Sequence, residues 1–461
     1  MSNSLGRSRI WGSCAVAAGL LFGTTACGSG SSGSSSGAGG TIQMWTFKQT
    51  HVKALEAAAA AFKQRTGITV QITAYTPDDT YSSKIQSAAA TKSVADVLEV
   101  HAGGEDFVFG GAGVLADLAP SMDTTWKNTF LKGTADTGLV TDSVYKSSQQ
   151  PKSTWQGVQK GQLFSVPFTA GTFGIIFANR SMLTAAGLNP AKPPTTWQQL
   201  ITWLKAVNHA NPKTGGITMG LKDPSTAFDW LLQPMAYADL GKAKYEALFG
   251  KDTAANWSSP AGQQVLTQYN QLTPYWTAGS QTLGIDDADR AFAQGKSAFD
   301  VGGTFTLSSI QQDGLDPANV VAFGLPPVQG GAVSDLKLAP VALTGLAISA
   351  QSKNQTADLE WLKFLTSAQQ AGDFAKAALD LPGTDLGAGA AAAVGPHLAG
   401  LESVFGAAGP DTYNPLDSTF MGPTYDPAQT GNVLVQMSPL KGQTPASAAA
   451  RLGVLIASTW K

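Results

Sequence analysis

Residues capable of catalysis occur in this chain only as fragments of motifs. Ser143 and Lys146 have the Ser-x-x-Lys spacing of penicillin-recognising serine enzymes, and Lys213 begins a Lys-Thr-Gly triplet. No Ser-x-Asn lies between the two fragments, and the segment that separates them is far too short for such an enzyme. The segment 111–116 echoes a dinucleotide fingerprint, but it falls within a predicted helix. Neither pattern supports an enzyme of those classes.

Metal, thiol and paired-carboxylate chemistry have equally little support. Cys14 and Cys27 are the only cysteines, so the rest of the chain can hold no disulfide, thiol nucleophile or thiolate metal site. Asp286 and Asp287 could in principle cleave a glycoside, but adjacent side chains point apart and cannot flank one bond. The histidines are isolated, without a ligand pair at helical spacing: His51, His101, His209 and His397. We therefore expect no cofactor, no metal and no catalytic residue, and a secreted glycoside hydrolase is the main alternative among enzymes.

The composition indicates a folded, multidomain protein without a nucleic-acid partner. The chain has 461 residues, of which 43% are hydrophobic and 13% charged, enough apolar material for more than one core. Its 30 basic and 32 acidic residues leave a net charge of −2, so there is no basic excess to neutralise phosphates. A monomer is the default expectation.

The first forty residues are typical of an export signal. Arg7 and Arg9 precede an apolar stretch at 10–22, which is too short to span a bilayer but long enough for a signal-peptide core. Cys27 follows small residues and is followed by a flexible Gly/Ser tether. This arrangement resembles a bacterial lipoprotein signal, in which the cysteine carries the lipid that anchors the protein to the membrane. The alternative is an ordinary signal peptide that is cleaved near Ala26.

The mature chain opens with a pattern that alternates between strands and helices. Two-residue periodicity predicts strands, and apolar spacings of three and four predict helices. The predicted order is strand 41–47, a helix ended by Gly67, strand 68–72, helix 81–90 and strand 94–100, with Asp96 inside the last strand. Such a βαβαβ order favours a parallel sheet covered by helices.

The same alternation continues through the middle and the end of the chain. Thr196 and Gln199 form a capping box that begins a helix. Further strands are predicted at 163–168, 173–177, 297–301, 320–325 and 343–348. Further helices are predicted at 357–378 and 446–456.

Several segments resemble the extracellular solute-binding proteins that serve sugar ABC transporters. Their order and spacing over about 330 residues carry the resemblance more than any single motif does. The segments are Met44-Trp45, Asp96-Val97-Leu98, 113–118, Val166-Pro167-Phe168, 174–179, 186–190, 194–197, 292–299, 324–327, 346–354 and 361–367.

The resemblance implies an α/β protein with a two-lobed, type II periplasmic-binding-protein-like fold. Hinge strands would join the lobes, and the ligand would bind in the cleft between them. The implied division is 1–26 signal peptide, 27–40 lipidated Cys27 and tether, 41–168 and 327–365 first lobe, and 169–326 and 366–461 second lobe. The implied function is capture of a sugar or oligosaccharide at the outer face of the cell membrane, for delivery to the permease subunits of an ABC importer. A non-sugar solute is the alternative ligand.

The resemblance also implies ligand-binding residues in the first lobe. An aromatic face stacks on the C–H face of a sugar, and a carboxylate accepts hydrogen bonds from its hydroxyls. Trp45 would supply the aromatic face unless it is a core residue, and Glu105 or Asp106 would supply the carboxylate unless both only stabilise a helix N-terminus. Asp96 is a further candidate, with a buried structural role as its alternative. The Asp78-Asp79 pair is expected to cap a helix or to contact ligand.

Candidates in the hinge and the second lobe have equally simple structural alternatives. These alternatives are hinge packing, core packing and a tight turn. The candidates are Phe168 and Thr169 in the first hinge strand, Trp230 and Trp257 in the second lobe, and Gly302, Gly303 and Thr304 after a predicted strand.

Overall fold

The computed structural model describes residues 40–151, 153–406 and 409–461. The predicted signal peptide and Cys27 lie outside the described residues. None of the helices that the described residues form combines the length and the apolar character needed to span a bilayer.

Strands and helices alternate along most of the described chain. The strands are β1 Thr41–Thr46, β2 Thr69–Ala74, β3 Val97–His101, β4 Val166–Gly171, β5 Phe173–Asn179, β6 Ile217–Met219, β7 Phe299–Gly303, β8 Val320–Gly324, β9 Lys337–Leu338, β10 Val341–Ile348 and β11 Thr412–Tyr413. The helices are α1 Gln49–Thr66, α2 Tyr81–Ala90, α3 Glu105–Gly111, α4 Thr124–Lys127, α5 Asp142–Ser148, α6 Arg180–Ala185, α7 Trp197–Ala210, α8 Gln233–Leu240, α9 Lys242–Ala247, α10 Pro260–Tyr269, α11 Ile285–Ala293, α12 Thr306–Gln312, α13 Gln355–Leu365, α14 Ala368–Ala378, α15 Ala390–Val394, α16 Pro396–Ala399, α17 Pro427–Met437 and α18 Pro445–Ser458.

The first sheet has the strand order β2-β1-β3-β10-β4. Strands β1, β2 and β3 run parallel, which confirms the predicted βαβαβ start, and β10 pairs antiparallel with both β3 and β4. Alternate residues of β1 point to opposite faces: Met44 packs in the core beneath α1, and Trp45 packs in the core that includes Tyr81 of α2.

The second sheet has the strand order β6-β7-β5-β8. Strands β6 and β7 are parallel, and β5 pairs antiparallel with β7 and β8. A single large core surrounds this sheet and extends to the C-terminal helices α17 and α18. Strands β9 and β11 form a further, two-stranded parallel sheet. The architecture is therefore two α/β layers built on the two larger sheets.

The chain passes between the two sheets at three places. Thr172 alone separates β4 of the first sheet from β5 of the second. The chain returns from β8 to β10, and it crosses again after α14, where Leu381 and Gly383 make backbone hydrogen bonds with β4. Each sheet is therefore assembled from segments far apart in sequence.

Local signals explain where two of the long helices begin and end. Helix α1 ends at Gly67, whose φ of 77° lies in the left-handed region that glycine adopts without strain. Helix α7 begins with the predicted capping box between Thr196 and Gln199.

Two expectations from the sequence were wrong in detail. Asp96 precedes β3 rather than lying within a strand. The helix expected over 357–378 is two helices, because the chain breaks at Thr366 and Ser367 between α13 and α14. Helix α14, a segment predicted to belong to the second lobe, packs on α1 of the first sheet.

Candidate functional site

Two strand edges from different sheets face each other in this fold. The parallel strands β1, β2 and β3 have their carboxyl ends on one edge of the first sheet, and β6 and β7 have theirs on one edge of the second. Ligands of open α/β sheets bind just outside such carboxyl ends. We call these two ends of the sheets, with the residues that surround them, the facing edges; the second includes Phe173 at the start of β5, which pairs with Gly303 at the end of β7.

Direct contacts join the facing edges. The Lys48 ammonium, just after β1, lies 5.0 Å from the centre of the Phe305 ring, just after β7. The Thr304 amide donates to the Thr172 carbonyl at 3.1 Å, and a Cβ added to Gly171 would overlap Thr304 Oγ1. The space beside these contacts is the candidate site.

A histidine holds two carboxylates on the first edge. His101 Nε2 lies 3.1 Å from Asp78 Oδ2, and His101 Nδ1 lies 3.1 Å from Glu105 Oε2. The imidazole stacks on Phe47, with ring centres 4.2 Å apart. Ser82 donates a further hydrogen bond to Glu105. His101 thereby fixes the positions of carboxylates from two different segments.

The charges of this group stabilise one another. Partial burial disfavours the His101 charge, but hydrogen bonds to Asp78 and Glu105 outweigh it and raise the pKa of His101. Burial likewise opposes ionisation of Glu105, but His101 lowers the pKa of this carboxyl below its usual range. Because 46% of the His101 side chain is exposed, solvent weakens the effect on the histidine.

Asp106, the neighbour of Glu105, has a structural environment. Its carboxylate is fully buried and accepts hydrogen bonds from the amides of Gly103, Gly104 and Phe107 and from the Ser165 hydroxyl. Burial raises its pKa to about 6, although these hydrogen bonds oppose the shift. Glu105, whose side chain is 11% exposed, is the member of the pair that a ligand could reach.

A buried ionic network lies behind Lys48. The ring of His51 lies between Glu99, at 3.0 Å from Nδ1, and Asp380, at 3.1 Å from Nε2. Asp380 also binds the Lys48 ammonium at 2.9 Å, and Thr46 donates to Glu99 at 2.6 Å. Burial opposes the His51 charge, but Glu99 and Asp380 outweigh it and raise the pKa of His51. The network ties α1 and β3 to the segment that follows α14.

Aromatic side chains occupy the second edge. Trp230 stacks on Phe173 at 4.9 Å with an interplanar angle of 11°, and its ring meets that of Phe305 edge-on at 6.3 Å. Trp230 lies on a π-helical segment, Ala227–Leu232, an irregularity that often occurs at functional sites. Trp230 itself is only 9% exposed, so Phe173 and Phe305, which are partly buried, supply the part of this aromatic surface that is open to the candidate site.

Carboxyl groups also occur on the second edge. Asp286, in the first turn of α11, is close enough to Asp78 and Lys48 of the first edge to sense their charges. Burial and the negative charge of Asp78 raise the pKa of Asp286. Behind it, the buried carboxyl groups of Asp289 and Asp300 contact each other, and burial raises the pKa of both.

Trp45 lies near the first edge but is buried by its neighbours. Only 8% of it is exposed, and Tyr75 meets its ring edge-on at 5.0 Å. The Lys84 ammonium lies 5.0 Å from the Trp45 ring centre and at the same distance from that of Tyr75. The face that could stack on a ligand is therefore covered by a cation.

The remaining predicted site residues are mostly engaged elsewhere. Asp96 accepts from the Gln43 amide at the opposite edge of the first sheet, and Trp257 is fully buried against Phe228 and Phe249. Phe168 packs on Phe374, and Thr169 shares a hydrogen bond with Thr344.

The glycine-containing segment after β7 does lie on the second edge. The Gly303 amide is used by Thr306 Oγ1, and the Thr304 amide by Thr172. Gly302 pairs with Ile175 within the sheet, where a Cβ would collide with Thr306. The amides of Gly303 and Thr304 are therefore already hydrogen-bonded within the protein, and Gly302 is paired within the sheet. This leaves little capacity in the segment to donate to a ligand, the role that was expected of Gly302, Gly303 and Thr304. The Asp79 side chain lies outside the described part of the chain.

Comparison with known families identifies the architecture. The profile described as "Bacterial extracellular solute-binding protein" matches residues 48–372. The chain belongs to the bacterial extracellular solute-binding proteins. The match spans both facing edges up to α14, so the two-lobed type II fold is confirmed.

Individual members of this solute-binding family match at low identity. The sn-glycerol-3-phosphate-binding periplasmic protein UgpB of Pectobacterium atrosepticum is 25% identical over 188 residues, which are 38% of this chain and 40% of that protein. The match therefore spans less than half of that relative's length.

Solved structures resemble the solute-binding fold over most of the chain. One, from work on xylan utilization by Caldanaerobius polysaccharolyticus, has a TM-score of 0.68 and 20% identity, and covers 90% of this chain and 99% of its own. The solute-binding protein RafE of Streptococcus pneumoniae, in complex with raffinose, has a TM-score of 0.66 and 16% identity, with 91% and 100% covered.

Several residues of the candidate site were not among those predicted from sequence. Lys48 carries an unusual signal, a cation at the start of a helix, where the dipole disfavours it. Phe173 and Phe305 are brought together only by the pairing of β5 with β7, which the sequence does not show. Asp380 carries no local signal, because it is 332 positions from its partner Lys48.

Proposed function

We propose that this chain captures a sugar or oligosaccharide between the facing edges and delivers it to the permease of an ABC importer. The observation that carries the proposal is the opposition of an aromatic surface on one edge and fixed carboxylates on the other. Phe173 and Phe305, which pack on the largely buried Trp230, form the aromatic surface, and Glu105 with Asp78 supplies the carboxylates.

This opposition suits the chemistry of a carbohydrate. A sugar ring has apolar C–H faces that pack on aromatic rings and hydroxyls that donate to carboxylates. A ligand that contacts both edges favours their approach, because it binds the closed arrangement better than the open one. The xylan-related and raffinose-bound relatives support a carbohydrate as the solute class.

We propose capture without turnover. Asp287, the second member of the carboxylate pair considered for glycoside cleavage, is bound to the Arg290 guanidinium at 2.9 Å. Asp78 and Glu105 are both held by His101, which leaves neither placed as a proton donor opposite a nucleophile. A secreted glycoside hydrolase remains the enzyme alternative that the experiment below addresses.

We also propose that Cys27 is lipidated and holds the protein at the outer face of the cell membrane. The support is the short apolar stretch before Cys27 and the Gly/Ser tether after it. Expression in a bacterium that processes lipoproteins, followed by fractionation, tests this. The parent should enter the membrane fraction and Cys27→Ser should not; retention of the variant would contradict the proposal.

Ligand screening tests the proposed capture. The chain from residue 41 onward should gain thermal stability from one member of a panel containing raffinose, maltotriose and xylotriose, because a ligand that binds only the native state adds RT ln(1 + [L]/Kd). Chromatography of the mixture should recover the sugar intact. Stabilisation only by peptides or polyamines, or cleavage of the sugar at an enzymatic rate, would contradict the proposal.

A further inference from the structure

Lys48 lies where its own helix does not favour a cation. It is the residue at which α1 begins, and the first turn of that helix contains no acidic side chain. The positive end of the helix dipole opposes an ammonium group at this position. Only 15% of the Lys48 side chain is exposed, so it is also largely removed from water. Interactions from outside α1 therefore hold the ammonium in place.

A buried carboxylate supplies the first of these interactions. Asp380 Oδ2 lies 2.9 Å from the Lys48 ammonium and 3.1 Å from Nε2 of His51, and the Asp380 side chain is fully buried. Glu99 lies 3.0 Å from the opposite nitrogen of His51. Because a buried charge is costly to leave unpaired, Asp380 fixes the direction in which Lys48 points.

Asp380 belongs to the segment that crosses between the sheets after α14. Leu379 and Leu381, on either side of it, pack in the core of the second sheet, whereas the Asp380 carboxylate binds residues of α1 in the first. Leu379 has a φ of 52°, a left-handed conformation that is uncommon for a bulky side chain. Such a conformation persists where the surrounding contacts determine it. The ion pair with Lys48 therefore fastens this crossing segment to α1.

The second interaction of Lys48 is with the other facing edge. Its ammonium lies 5.0 Å from the centre of the Phe305 ring, and α1 also contacts α12, the helix that follows Phe305. A cation over an aromatic face is attracted to it, more strongly where both are withdrawn from water. Phe305 in turn meets Trp230 and Phe173 edge-on. One ammonium thus joins a buried carboxylate at a crossing segment to the aromatic surface of the second edge.

We infer that Lys48 is a positioning residue that latches the two facing edges together through Asp380 and Phe305. The inference rests on the proposed capture between these edges and names the residue that governs their approach. The latch acts before any solute arrives, because both of its contacts are made within the protein. It favours the arrangement in which both edges reach the solute, and so contributes to affinity through the equilibrium between open and closed arrangements.

Distances between the lobes in the sugar-free protein test the latch. The chain from residue 41 onward contains both sheets and has no cysteine. Glu56→Cys on α1 and Lys205→Cys on α7, both exposed positions, therefore provide two unique sites for nitroxide labels. Double electron–electron resonance measures the distribution of distances between the labels. Lys48→Met in this labelled background should move population away from the parent peak and broaden the distribution.

Sugar binding to the same samples links the latch to capture. The probe is the member of the raffinose, maltotriose and xylotriose panel that stabilises the parent most. At saturation it should restore the parent peak in Lys48→Met, because a ligand that contacts both edges favours their approach. The apparent Kd of Lys48→Met should be raised about three- to tenfold, the range expected for loss of one partly desolvated cation–π contact.

A second substitution breaks the contact from the opposite edge without disturbing the buried carboxylate. Phe305→Leu should release population from the parent peak as Lys48→Met does, and the double variant should be no more open than either single one. Lys48→Arg keeps a cation for both partners and should retain the parent distribution. Lys53→Met, at an exposed position of the same helix, is the matched control and should change neither the distances nor the affinity.

The outcomes separate the latch from the function on which it rests. A sugar-free distribution that is unchanged in Lys48→Met or in Phe305→Leu would overturn the latch and leave carbohydrate capture intact, as would additive opening by the two substitutions. Where Lys48→Met lowers the melting temperature too far for labelling, Phe305→Leu decides alone, since its ion pair is intact. Failure of the whole sugar panel to bind the parent would instead contradict the proposed capture, and the sugar-free distances would still decide the latch.

Discussion

Glu105 and Asp106 are adjacent carboxylates with opposite environments. Asp106 accepts hydrogen bonds from three backbone amides and a hydroxyl inside the protein, whereas Glu105 is held by His101 and Ser82 and keeps 11% of its side chain exposed. Only Glu105 of these two neighbours is therefore accessible to a ligand.

The two carboxylates should therefore respond differently to substitution. We expect Glu105→Gln to weaken sugar binding by about 1.5–3 kcal/mol, the value of a charge-assisted hydrogen bond, with little loss of stability. Asp106→Asn should lower the free energy of unfolding by about 2–3 kcal/mol, because its amide group opposes buried N–H donors. Calorimetry and urea unfolding measure the two effects, and exchanged outcomes would assign the ligand to Asp106.

Aromatic residues of the second lobe likewise include a buried core residue, Trp257, and a partly exposed residue at the facing edge, Phe305. Trp257 is fully buried, so Trp257→Ala should cost about 3–5 kcal/mol of stability while the folded fraction binds sugar normally. Phe305 is partly exposed at the facing edge, and Phe305→Ala should weaken binding by about tenfold, as for an interface anchor. Unchanged affinity in Phe305→Ala would show that the ligand does not pack on Phe305.

Sequence could predict these residue types but not their surroundings. The resemblance pointed to Glu105 and Trp230, which do lie at the facing edges. It also pointed to Trp45, whose face Lys84 covers, and to Asp96, which lies at the far end of its sheet. Such contacts depend on tertiary packing that no local pattern encodes.

At the scale of elements, α11 and β7 bring the carboxyl groups of Asp289 and Asp300 together in the second core. Both are fully buried, and each has an oxygen without a hydrogen-bond partner among the described residues. Such a pair favours sharing a proton, and burial raises the pKa of Asp300 to about 6.

This pair should make the protein more stable in mild acid. Because burial raises the pKa of both carboxyl groups above the unfolded value of about 3.9, to about 6 for Asp300, the folded state binds more protons than the unfolded chain above about pH 4. The stability that this proton uptake provides is complete below about pH 4 and is lost as the pH rises through the folded pKa values. We expect Asp300→Asn to flatten the dependence of melting temperature on pH between 4.5 and 7.5.

A matched control for that measurement lies on the same helix. Asp287 is half exposed, so Asp287→Asn should leave the pH dependence unchanged. An equal slope in the parent and in Asp300→Asn would show that the pair does not share a proton in the folded state.

Element patterns were predicted well wherever a local period exists. Helix α2 has the predicted bounds, and α7 begins at its predicted capping box. The break between α13 and α14 falls at Thr366 and Ser367, the C-cap and N-cap residues, which the apolar period of 357–378 does not register. The Thr366 hydroxyl also accepts from Trp126 Nε1, 240 positions away, a contact that no local pattern encodes.

The whole molecule is built from discontinuous segments, and this limits what boundaries a sequence can reveal. Strand β4 pairs with β10 and also with the segment near Pro382, so three passes of the chain meet at one place. Helix α14 lies with the first sheet for the same reason. We propose that the first lobe includes this helix and that the second lobe resumes after it.

Gly171 lies where these passes meet, and its lack of a side chain should matter to the whole molecule. A Cβ there would collide with Thr304 of the other sheet. We expect Gly171→Ala to weaken sugar binding and to increase the radius of gyration measured by small-angle scattering. Gly389→Ala, where a Cβ meets nothing within 4 Å, is the control. A variant that binds like the parent would show that the collision is relieved locally.

The same glycine separates affinity from contact. When only a fraction of molecules occupies the binding-competent arrangement, the apparent Kd equals the intrinsic Kd divided by that fraction. A methyl group at 171 that reduced the competent population to about one per cent would weaken binding about a hundredfold without altering any atom that touches the solute. Selection could therefore adjust the concentration at which this protein saturates through the packing of Gly171 against Thr304, and not only through contacts with the solute.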